Sequence, residues 1–199
     1  MRVSDDRYTR DRQRLDLALR LIRHEARTHT IRQWTGLSDD RIRKLYRSYV
    51  QDDRAKVFRH RGKSPRQTAF FFRTGETHFQ STQLASLYVM HGLVRGGPAG
   101  VERRYRVGSL ESGALLCQAF ETYLELHDPA RISFEHAWFL LLALGARAEI
   151  GLSRCPQCGG LRLYDLLARH RQCCGTCGYT PPCEPPNAAP RLMNLPVPC

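Results

Sequence analysis

Four cysteines constrain this chain more than any other feature. They fall as Cys155-x2-Cys158-x15-Cys174-x2-Cys177 within RCPQCGGLRLYDLLARHRQCCGTCGY, residues 154–179. A glycine follows each pair at once, Gly159 after the first and Gly178 after the second. Two cysteines separated by two residues can aim both sulfurs at one ion. A glycine behind them permits the tight reversal that turns backbone N–H groups toward the thiolates. Two such knuckles, joined by a returning loop, complete a closed four-sulfur tetrahedron. That set suits Zn²⁺, with iron as the alternative ion, and leaves no open position for a reacting molecule. Two disulfides, redox or structural, are the other reading. Cys173 precedes Cys174, so either thiol can be the third ligand; Cys174 gives the symmetric spacing. Cys117 reads as an inert packed thiol.

At 199 residues the chain can bury a core without disulfides, in one or two domains. The amino terminus, MRVSDDRYTRDRQR, is charged from the start, which predicts no secretory signal. The longest apolar run, residues 137–146, is too short to span a bilayer. These features predict a soluble cytoplasmic protein with no membrane partner, in a reducing compartment where clustered cysteines favour metal over cystine. The net charge is +12, and residues 1–73 hold 20 Arg and Lys against 9 Asp and Glu. The rest of the chain is close to neutral, with 11 against 10. A basic patch of this kind is the footprint of a polyanion partner, usually nucleic acid. A solvated helical surface is the plainer reading of so many arginines, but it does not account for their concentration in one third.

Taken in order, residues 1–10 read as frayed. A helix is predicted over 11–28, with Leu15, Ala18, Leu19, Ile22 and Ala26 on one face and Leu17 and Leu21 widening it. A short helix over 31–34, a turn at Thr35-Gly36-Leu37 and a second helix over 39–49 follow. Ser38 is the expected N-cap, and Asp39 and Asp40 suit the positive end of the dipole. Ile42, Leu45 and Tyr46 form the packing face, while Arg41, Arg43, Lys44 and Arg47 project outward. Helix, glycine turn and basic second helix follow the helix-turn-helix plan, in which the second helix enters the major groove. A plain structural hairpin has the same pattern. Residues 51–73 form a connector carrying Lys56, Arg59, Arg61, Lys63 and Arg66, broken at Gly62 and Pro65. Its cations read as phosphate contacts, and Phe70-Phe71-Phe72 as a core anchor. Helices are predicted over 77–94, 111–127 and 134–150. The last is apolar nearly all round, so it belongs at the centre of the core. Residues 180–199 contain seven prolines and little periodicity, which predicts a disordered tail.

The fold expected is mainly α. A helical body over residues 1–153 carries the amino-terminal helix-turn-helix-like segment, residues 154–179 form a small zinc module, and 180–199 form the tail. No Gly-rich phosphate loop, HExxH or G-x-S-x-G is present. His24–Glu25 and Glu135–His136 are adjacent pairs that point about 100° apart on a helix, so they read as surface residues rather than catalytic dyads. With a metal saturated by thiolates, the chain is not expected to be an enzyme.

This order of parts resembles the FlhC family, the zinc-binding subunit of the bacterial flagellar master regulator. The resemblance runs from about residue 12 to residue 179. It rests on Leu37-Ser38 with Leu45-Tyr46, Gly62 to Pro65, Glu149-Ile150-Gly151-Leu152 leading into the first cysteines, and the cysteine quartet. It implies a transcription activator that works in a hetero-oligomer with an FlhD-like helical subunit, binds double-stranded promoter DNA and recruits RNA polymerase. By position, the zinc ligands it implies are Cys155, Cys158, Cys174 and Cys177; no catalytic residue carries over. The connector departs from the flagellar form, having Gln67-Thr68-Ala69-Phe70, and so does the proline-rich tail. The chain is therefore read as a divergent member, acting on flagellar promoters or on conjugative-transfer genes of a mobile element. A zinc-stabilised scaffold without DNA contact and an RNA-binding protein are the readings from other classes.

Overall fold

The computed structural model describes residues 2–52, 57–60, 62–97, 100–168 and 172–180. Helix α1 (Arg2–Arg23) starts earlier and stops sooner than its apolar spacing predicts. Residues 2–10, expected to fray, are helical. Charge pairs across the turns, Arg14–Asp11 at 3.5 Å and Arg12–Asp16 at 3.8 Å, support the solvated stretch just beyond them. The stop is local as well. Glu25 takes a positive φ of 58°, its N–H donates to the Ile22 carbonyl, and the Ala26 N–H donates to Leu21. That bond pair closes a helix through a left-handed residue.

Helix α2 (Thr28–Thr35) ends at Gly36, whose φ of 68° begins the turn into α3 (Asp39–Asp52). The Arg41 N–H reaches Ser38 Oγ at 3.4 Å, the expected cap. Leu17, Leu21 and Ile22 of α1 bury with Ile31 and Trp34 of α2 and with Ile42 and Tyr46 of α3. The Tyr46 hydroxyl donates to the Ala26 carbonyl at 2.8 Å, and burial pushes its pKa up to about 12. The connector closes on a 3₁₀ turn, Thr68–Phe72, in which Phe71 is fully buried and Phe70 and Phe72 pack beside it. The anchor reading of the three phenylalanines thus matches their positions.

Helix α4 (Gly75–Met90) ends where Gly92 turns left-handed, so Val94 belongs not to the expected helix but to β1 (Val94–Gly97), antiparallel to β2 (Gly100–Arg103). Helix α5 (Leu110–Leu126) and α6 (Phe134–Ala146) complete the helical body, capped by Ser109 and Ser133. The predicted helix over 134–150 is cut short because Arg147 adopts a left-handed conformation, and Ile150 starts β3 (Ile150–Arg154). β3 pairs antiparallel with β4 (Leu161–Asp165) in a second two-stranded sheet. At Gly151 a Cβ would sit 2.4 Å from the ring of its cross-strand partner Tyr164, so only glycine fits there.

One core joins these parts. α6 is buried through Trp138, Leu140, Leu141 and Leu144, as its apolar surface predicts, and Ile150, Leu152 and Leu163 of the hairpin share the same cluster. The expected boundary between residues 153 and 154 therefore falls inside β3. Glu135, expected at the surface, is buried. It accepts the Arg27 N–H at 2.9 Å and the Ser64 hydroxyl at 2.7 Å, pinning the connector to α6. His24, also expected outside, is enclosed by Phe120 and Phe134 and hydrogen-bonds Glu121 at 2.8 Å. Among the described residues no helix is long and apolar enough to cross a membrane.

Candidate metal centre and cationic face

The turn between β3 and β4 is the first cysteine knuckle. The Gly159 N–H donates to the Cys155 carbonyl at 2.9 Å, Gly159 has a φ of 70°, and the Cys155 N–H returns to Gly160 at 2.8 Å. The second knuckle repeats this scheme. Gly178 donates to Cys174 at 2.9 Å with a φ of 72°, and the Cys174 N–H donates to Tyr179 at 2.7 Å. Glycine is needed at both positions because the reversal requires the left-handed region.

The knuckles face each other. All four sulfurs of Cys155, Cys158, Cys174 and Cys177 lie within 4.8 Å of one another. Cys155 Sγ is 3.7 Å from Cys177 Sγ, and Cys158 Sγ is 3.9 Å from Cys174 Sγ. Metal–sulfur bonds of about 2.3 Å place tetrahedral sulfurs about 3.8 Å apart, so the quartet fits a zinc-sized ion. Disulfide bonds would need sulfurs at about 2.05 Å; these six cysteines, Cys117 and Cys173 included, are free. Cys173 is exposed and stands outside the quartet. Burial raises the Cys155 and Cys174 thiols, but backbone N–H groups two and three residues onward outweigh it and bring both below the ordinary cysteine value. Cys117, by contrast, is pushed up to about 12, chiefly by burial, as expected of an inert packed thiol.

Helix α4 forms the seat of this centre, which the sequence reading did not anticipate. In its first half the buried residues are polar, Thr77, His78, Gln80, Ser81 and Thr82, before Leu84, Ala85, Leu87 and Tyr88 join the core. Ser81 and Thr82 satisfy their hydroxyls on carbonyls one turn back, at 2.7 and 2.9 Å. His78 Nε2 donates to the Leu163 carbonyl of β4 at 2.9 Å. A Cβ on Gly175 would meet Thr82 Oγ1 at 3.1 Å, so the second knuckle lies directly on this face. A run of short hydroxyls one turn apart was the available signal.

The cations fall into two groups. On α3, Arg41, Arg43, Lys44 and Arg47 are all exposed, opposite buried Ile42 and Tyr46. Arg43 pairs with Asp40 at 2.9 Å, an exposed pair worth about 0–1 kcal/mol and easily exchanged for another anion. Arg59, Lys63 and Arg66 of the connector are exposed too, but they line a separate cleft that none of the α3 cations enters. Arg59 is held over the Tyr46 ring at 5.3 Å and reaches Thr28 Oγ1 at 3.3 Å. Arg61, Lys56, and the tail with Cys183 and Cys199 lie outside the described residues. No known family model matches the chain, and a search of curated proteins finds no match.

Proposed function

We propose that this chain is the DNA-binding subunit of a transcription activator, with Zn²⁺ in the four-cysteine site and α3 as the helix that enters the major groove. The observation that carries this reading is the sidedness of α3. Ile42, Leu45 and Tyr46 are taken up by the core it shares with α1 and α2, and its four cations are left facing solvent beside a basic connector. The short α2, the Gly36 turn and the capped α3 are the parts a helix-turn-helix uses. Arg41, Arg43, Lys44 and Arg47 would meet base edges and phosphates, with Arg59, Arg61, Lys63 and Arg66 adding backbone contacts. Bound zinc would staple the second knuckle to the hairpin and so to α4, stabilising the lobe without taking part in chemistry.

The resemblance to FlhC extends the proposal. The chain acts in a hetero-oligomer with an FlhD-like subunit and recruits RNA polymerase at flagellar promoters or at those of conjugative-transfer genes. Genome-wide occupancy of the tagged chain, with partner genes intact, tests this reading. Sharp peaks upstream of one of those gene sets are expected. Background occupancy by abundant, zinc-loaded protein would overturn it.

A further inference from the structure

Connector residues 59, 60 and 62–67 fold over the start of α2 and bound a cleft of about 1300 Å³. Its wall carries Arg27, Arg59, Lys63 and Arg66 with His29 and His60, and among the described residues no carboxylate lines it. The nearby acids lie behind this wall and pair with two of its residues, Glu25 with His60 and Glu135 with Arg27. Glu25 faces an adjoining cavity, accepts the Phe58 N–H at 3.0 Å and pairs with His60 at 3.0 Å. Glu135 sits in that same adjoining wall, taken up by Arg27 and Ser64. Arg27 is compensated by Glu135 at 3.9 Å, but the exposed Arg59, Lys63 and Arg66 border the same open space with no carboxylate paired to them among the described residues, and an anion there is favoured by their summed charge.

Part of the wall is fixed in advance. Ser64 is tied to Glu135, Phe58 to Glu25, and Arg59 to Thr28 and the Tyr46 ring. Little ordering is therefore left for a ligand to impose. Phe70, the one phenylalanine in the wall, already stacks on His136 at 3.8 Å and carries the Arg73 guanidinium over its ring. The cleft thus offers charge and hydrogen-bond donors rather than a stacking platform. The Arg59 guanidinium is held in place, and with the exposed Lys63 ammonium and Arg66 guanidinium it supplies the donors that match phosphoryl oxygens. We propose that the cleft binds a phosphoryl group, carried either by a small phosphorylated molecule or by a nucleic-acid backbone. This does not rest on duplex binding by α3.

The probe is inorganic pyrophosphate, titrated calorimetrically into the full-length, zinc-loaded chain at about 0.15 M salt, where exposed charges are screened within about 8 Å. Saturable 1:1 binding is expected. The double substitution Lys63→Gln/Arg66→Gln should weaken it at least about tenfold, since each removes a charge-assisted contact. Arg41→Gln/Lys44→Gln, which removes equal charge outside the cleft, should leave it unchanged. Absence of saturation, or equal loss in both double variants, would overturn the proposal. A labelled duplex then separates the sources: displacement by pyrophosphate marks a backbone phosphate, and simultaneous binding marks a small ligand. If α3 does not bind DNA at all, duplex binding will be missing while pyrophosphate binding persists.

Discussion

The cysteine knuckles and the cationic amino-terminal third use opposite kinds of order. Each knuckle repeats one backbone scheme, a left-handed glycine and two short hydrogen bonds, and four sulfurs converge within 4.8 Å. The cations of α3 share no such geometry. They stand exposed on one side of a helix, and one of them is paired with its own neighbour Asp40. Coordination needs particular atoms at particular distances, so it leaves a spacing in the sequence. Attraction of a polyanion needs only summed charge, so it leaves a density. The first can be read residue by residue. The second can be read as a region, and its individual contacts must come from structure and titration.

The largest effect expected is on the ordered side. Cys155→Ala or Cys177→Ala should lose the metal and release the second knuckle from α4. The apparent stabilisation at stake is about 10–16 kcal/mol for structural zinc sites, and DNA binding should go with it. Metal content by mass spectrometry and fluorescence anisotropy on a promoter duplex check this together. A metal-free variant with full promoter affinity would break the link between the two regions.

Next comes Leu163→Ala, which empties a fully buried position shared by the hairpin and the helical body. It should cost about 2–5 kcal/mol in urea denaturation and lower metal affinity in parallel. Unchanged metal affinity would show that the centre is organised apart from the body. Arg43→Gln with Lys44→Gln should leave stability nearly untouched but weaken duplex binding about tenfold or more. An equal loss of stability and affinity would mean that α3 is a structural hairpin.

The smallest effect is a pH dependence of the body itself. Burial pushes the His24 pKa down against the pull of Glu121. Glu121 is held below its ordinary value first by its hydrogen bond from Arg20. In both cases the folded state binds fewer protons than the unfolded chain, so stability falls with pH. The His24 share is lost as pH drops below its ordinary 6.5, and the Glu121 share as pH drops below 4.5. Urea midpoints measured across that range should fall. His24→Phe should flatten the first part of the drop, which separates it from acid release of metal by the thiols. An identical profile in that variant would remove His24 from the account.

The quartet, the α2–turn–α3 order, the Ser38 cap and the central place of α6 were all legible, because each is local or periodic. What escaped was set by tertiary contact. The start of β3 is hidden because Ile150 reads as the end of the α6 helix; the left-handed Arg147 ends that helix, and Ala148 and Glu149 link it to the strand. Glu135 reads as a surface acid until the Arg27 N–H and Ser64, distant in sequence, arrive to bury it. The polar face of α4 breaks the apolar stripe that helix prediction relies on, and it is buried because its hydroxyls are satisfied within the helix.

The central claim is that the cationic third meets duplex DNA. It is tested most directly by the salt dependence of binding, using the zinc-loaded chain with the proposed FlhD-like subunit and a fragment from an occupancy peak. A steep linear fall of log affinity with log salt is predicted. The slope should shrink by about 0.9 for each phosphate contact removed from α3 or the connector. Affinity that is flat in salt, or a slope untouched by Arg41→Gln, Lys44→Gln and Arg66→Gln together, would contradict the account.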